Sequence, residues 1–125
     1  MQTNSTGSTT LRFLRHETDA WKRQLAFISE EHIQLKRLLA DALAQPMDSS
    51  LLLAAEQFHT DLLREGEILN LLRNDVSVFD EDLQRNPLPA GVKSGRQRIG
   101  EEINAATAAL QRLKDAFNRL LPDQC

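Results

Sequence analysis

The sequence predicts an all-α fold: three long helices packed up-down-up as an antiparallel, coiled-coil-like bundle. Three observations lead there. Apolar residues recur at alternating steps of three and four along three long stretches. Two short breaks containing proline separate those stretches. The composition favours helix throughout, with Ala, Leu, Glu, Gln and Arg abundant and few runs of β-branched residues. A chain of 125 residues is enough for one domain, and 41% hydrophobic content is enough for a core, which argues against global disorder.

The first nine residues are polar and Ser/Thr-rich, and are expected to form a flexible N-terminal segment. Thr9 or Thr10 is suited to cap the helix that follows. From there Leu11, Leu14, Thr18, Trp21, Leu25, Ile28, His32, Leu35, Leu39 and Ala42 fall on one heptad seam. The first helix is expected from about Thr10 to Ala44.

Gln45-Pro46-Met47-Asp48-Ser49-Ser50 interrupts the pattern. Proline disfavours helix at its predecessor, and Asp48 or Ser49 can cap the next helix. The second seam is Leu51, Ala55, Phe58, Leu62, Glu65, Leu69, Leu72, Val76, Phe79 and Leu83. Gly66 lies inside this helix, at a cost of about 1 kcal/mol relative to alanine.

Asn86-Pro87-Leu88-Pro89-Ala90-Gly91 is the clearest break, since two prolines one residue apart exclude a helix interior. Ser94 with Gln97 has capping-box spacing. The third seam is Arg96, Ile99, Ile103, Ala106, Leu110, Leu113, Phe117 and Leu120, and Pro122 stops it. Short links between long helices favour antiparallel neighbours. The expected organisation is a single bundle domain over residues 10–121, followed by a C-terminal tail, 122–125.

Each seam contains a polar member. Thr18, His32 and Glu65 are the candidate polar core, and a hydrogen bond between His32 and Glu65 would satisfy two costly buried groups and set the register of two helices. Arg96, at the end of its seam, is expected to reach solvent.

Glu56-Gln57-Phe58-His59 has the Glu-x-x-His spacing that supplies one arm of a di-iron site in ferritin-like bundles. Such a site needs two of these arms and further glutamates, and this chain has one. The candidate metal ligands are therefore limited to His32, Glu56, His59 and Glu65, in a mixed histidine and carboxylate set. No phosphate loop, zinc-protease helix or EF-hand pattern is present. No catalytic residue or cofactor is assigned. Cys125 is the single cysteine, which rules out an intrachain disulfide.

The formal charge of −3, with 15 basic and 18 acidic residues interspersed, argues against a nucleic-acid surface. No basic leader precedes an apolar run, and no stretch approaches the roughly 18 apolar residues of a membrane span. The expected setting is soluble and cytoplasmic, with no membrane partner.

A second stripe, Phe13, Ala20 and Phe27, recurs every seven residues on another side of the first helix, and Leu71 and Val78 extend the apolar area of the second. Leu38, Leu43, Leu52, Leu53 and Leu121 thicken one end. Phe13, Ala20, Phe27, Leu71 and Val78 are the expected interface of a homodimer. The chain thus reads as a helical interaction or scaffold protein that self-associates, with no identifiable catalytic activity. The alternatives are a metal-binding bundle using histidine and glutamate, and a small-molecule module using a cavity at the apolar end.

Overall fold

The computed structural model describes the backbone of residues 2–85 and 92–121 and the side chains of residues 10–85 and 92–121. It consists of three helices, α1 (Gln2–Leu43), α2 (Ser49–Arg85) and α3 (Val92–Leu120), with no strand among the described residues. α1 begins at Gln2, ahead of the start near Thr10 expected from its seam and capping residues. α3 begins at Val92, two residues before Ser94. The Asn86–Gly91 break, the Pro122 stop and Cys125 lie outside the described residues.

The helices form an antiparallel three-helix bundle, with cross-helix contacts that define its register. Trp21 of α1 meets Phe79 of α2 edge to face, ring centroids 5.5 Å apart, and Lys22 pairs with Asp80 one residue on. Phe58 of α2 packs on Phe117 of α3, also at 5.5 Å. α1 and α3 run parallel: Glu17 pairs with Arg96, Gln24 donates to Thr107, and Glu31 pairs with Lys114. At about 1.5 Å per residue, the 37 residues of α2 span roughly 55 Å, so the molecule is a thin rod.

The heptad seams are the core. All members of the α1 seam are buried except Leu11, which is half-buried. In α2 only Leu51, Glu65 and Phe79 are half-buried; in α3 only Arg96 and Leu120 are. Each fully buried Leu or Ile, such as Leu62 or Ile28, contributes about 1.5–3 kcal/mol relative to exposure. Two core residues lie off the expected seams: Ala109, on the flank of α3 facing α2, and Leu121, just past the end of α3.

The α1–α2 connection is closed locally. Ala44 N–H donates to Ala40 O at 3.2 Å and Gln45 N–H to Ala42 O at 3.1 Å, which ends α1. Asp48 then caps α2, its Oδ1 accepting from Leu51 N–H at 2.8 Å.

Candidate interaction site

Thr18 is fully buried and answers its own polarity, its hydroxyl donating to Leu14 O one turn back at 2.7 Å. His32 is 5% exposed, and its Nδ1 has no hydrogen-bond partner. The expected His32–Glu65 hydrogen bond does not form. Gly66 is the α2 residue beside the imidazole: a Cβ there would stand 4.0 Å from Nδ1. Glu65 lies one residue earlier, about 100° around the helix, and lines the α2/α3 groove with Ile68 and Leu71. Of the three polar core candidates, Thr18 and His32 are therefore buried and Glu65 is half-buried. Burial, then the charge of Lys36 one turn along α1, hold the His32 pKa below its ordinary 6.5.

The four metal candidates do not converge. His32 is inside the bundle, while Glu56 and His59 are exposed along the α1/α2 groove and Glu65 faces the α2/α3 groove. Among the described residues no group of three or more His, Cys, Asp or Glu side chains is placed to hold a metal ion. The exposed leucine-rich end opens into grooves between helices. One of them has a volume of about 560 Å³ and lies between α2 and α3, from Asp48 and Leu51 to Arg119 and Leu120.

Phe13 and Phe27 are 55% and 58% exposed, and Ala20 between them is exposed as well. This stripe runs beside α3. Arg96 lies over the Phe13 ring at 5.2 Å and Lys114 over the Phe27 ring at 5.9 Å, both within cation–π range. Both cations also serve carboxylates four residues beyond each phenylalanine. Arg96 donates from Nε to Glu17 Oε1 at 2.5 Å and from Nη2 to Oε2 at 3.1 Å, which raises its pKa, and Lys114 pairs with Glu31. Arg96 thus reaches solvent at the end of its seam, its side chain 42% exposed, and there forms a bidentate ion pair with Glu17.

Leu71 is 68% exposed and Val78 is exposed too, but they belong to the other side of α3, where Leu71 lines the α2/α3 groove with Ala105 and Arg112. α3 stands between them and the Phe13–Phe27 stripe, so the five residues form two patches. Leu43 and Leu52 of the leucine-rich end join Leu63, which the sequence did not mark, in a third patch in the α1/α2 groove, with Lys36, Glu56 and His59 beside them. Its signal in the sequence is an i, i+11 leucine pair on α2, Leu52 and Leu63, off the main seam.

No helix among the described residues is long and apolar enough to cross a membrane. No protein-family model matches this chain, and neither the curated proteins nor the solved structures contain a match to it.

Proposed function

We propose that this protein is a helical interaction or scaffold protein that self-associates as a homodimer, acting through its surface rather than through a reactive centre. The observation that supports this is the Phe13–Ala20–Phe27 stripe, with two phenylalanines more than half exposed on one side of α1. Its rim is polar, with Arg96 and Lys114 beside the aromatic rings, the arrangement that interfaces favour. A closed twofold contact would cover the stripe on both copies at once.

Burying what remains exposed of two phenylalanines on each of two subunits is worth about 4–6 kcal/mol in transfer terms. Association costs are of similar or larger size, so the expected dimer is reversible and concentration-dependent. Sedimentation equilibrium over a wide concentration series tests this: wild-type protein should associate, and Phe27→Glu should weaken the association with helicity unchanged. Wild-type protein that stays monomeric throughout would refute the proposal.

A further inference from the structure

The three inter-helix grooves are not sealed alike. Polar pairs bridge α1 to α3 at Glu17–Arg96, Gln24–Thr107 and Glu31–Lys114, and α2 to α3 at Asp75–Arg98. α1 and α2 are bridged at Lys22–Asp80, far from their connection. From Ile33 to the connection, no polar side-chain pair crosses this groove among the described residues. Its floor includes the buried Leu39 and Ala55, and its volume is about 380 Å³. Leu43, Leu52 and Leu63 line it, and Ile33 lies one turn before Lys36 on the same flank of α1; these four are 40–44% exposed.

Two charges stand in this apolar setting, Lys36 on the α1 wall and Glu56 on the α2 wall. Neither side chain makes an ion pair or hydrogen bond among the described residues. Their positions follow from the antiparallel register, in which Trp21 meets Phe79 and His32 lies beside Gly66. Extended toward the connection, it puts Lys36 level with Leu63 and Glu56 level with Leu43. The charges are therefore about 10 Å apart along the groove at 1.5 Å per residue, with Ala40 and His59 midway.

We infer that the α1/α2 groove is a second contact between copies of this chain, packed groove to groove about a twofold axis crossing it at the level of Ala40 and His59. That operation exchanges the two ends of the groove. Each Lys36 arrives at the partner's Glu56, twice per contact, and the Leu63 end covers the partner's Leu43 and Leu52. Opposite charges, unpaired at opposite ends of one apolar surface, make that surface complementary to itself, as an isologous contact requires. Ala40 leaves room for close approach at the crossing point.

This inference rests on the self-association reading but uses a different face, since the Phe13–Phe27 stripe lies on the α3 side of α1. The Leu52–Leu63 wall is about three helical turns long, which puts the contact at the low end of specific interfaces, below about 1,200 Å² in total. With both contacts in use, the assembly passes beyond a dimer at high concentration.

Sedimentation equilibrium on charge variants of the full chain tests this. Lys36→Glu and Glu56→Lys should each weaken the step beyond the dimer by about tenfold or more, because each places like charges together. The double exchange Lys36→Glu with Glu56→Lys should restore it. Phe27→Glu should leave a dimer held by the groove, and adding Lys36→Glu to it should yield monomer. Circular dichroism on each variant establishes that the helices persist. Association that ignores both single charge changes, or is not restored by the exchange, overturns the groove contact. If Phe27→Glu alone abolishes all association, the groove contact falls while self-association stands; a monomeric wild type removes both.

Discussion

Replacing His32 with leucine should stabilise the bundle at neutral pH and remove part of its sensitivity to acid. The imidazole is 5% exposed in the α1 seam, and its Nδ1 is left without a partner. An unsatisfied buried polar group costs about 1–3 kcal/mol, a cost that an apolar side chain of similar size does not incur. The expected gain for His32→Leu near pH 7.5 is therefore about 1–2 kcal/mol. The acid response follows from the pKa direction: burial first, then Lys36, hold the folded-state value below 6.5. No carboxylate is hydrogen-bonded to the ring to offset this, since Glu65 lines the other groove and Glu31 is paired with Lys114.

As pH falls through 6.5, the unfolded chain takes up the His32 proton before the folded one does. Stability is then flat above that value, declines toward the folded-state pKa, and levels off beneath it. Leucine has no such decline, so the advantage of the variant should widen on acidification. Urea unfolding of both proteins at pH 7.5 and pH 5, followed by circular dichroism, measures the gap directly. A gap that stays constant or narrows on acidification, or a leucine variant destabilised at neutral pH, would refute the reasoning.

Two local predictions follow from backbone chemistry. Gly66→Ala should stabilise by about 1 kcal/mol, the helix-propensity difference, because the added Cβ meets only His32 Nδ1, at an ordinary contact distance of 4.0 Å; a lowered urea midpoint would show that α1 and α2 pack more closely there than the structure has them. Asp48→Ala should cost about 1 kcal/mol by leaving the Leu51 N–H without its side-chain acceptor, read as a lower thermal midpoint with near-native helicity; an unchanged midpoint would mean that the cap contributes nothing measurable.

The fold was legible because a heptad seam is a property of one helix at a time. Thr18, Leu25, Ile28, Leu62, Leu72, Ile99 and Ile103 could each be assigned to the core from spacing alone, and each is buried. The stagger between helices is a different quantity and does not appear in any single helix's pattern. The His32–Glu65 pairing failed for that reason: a difference of one residue, about 100° of rotation, puts Gly66 beside the ring. The same gap hid the reach of Arg96 to Glu17, which joins residues 79 apart in sequence. The start of α1 at Gln2 was missed because a polar Ser/Thr run carries no apolar periodicity to mark a helix. Spacing revealed the Phe13, Ala20 and Phe27 stripe as apolar, but not that α3 would separate it from Leu71 and Val78.

The rungs between α1 and α3 bear on a degeneracy inherent in heptad repeats. An apolar seam looks the same to its neighbour after a slip of seven residues, so two parallel helices matched by leucines alone have several nearly equivalent alignments. Here the rungs read charged, neutral, charged: Glu17 with Arg96, Gln24 with Thr107, Glu31 with Lys114. Sliding α3 by one heptad in one direction would set Gln24 opposite Lys114 and Glu31 opposite Leu121; in the other, Glu31 would meet Thr107 and Gln24 would meet Gly100. Either slip separates the two ion pairs seen here. Exposed pairs of this kind are worth only about 0–1 kcal/mol each, too little to hold a bundle together. As a difference between alignments that are otherwise almost equal, the same small energies can bias the population severalfold, so surface polarity with little weight in overall stability can still decide which of the look-alike structures the chain adopts.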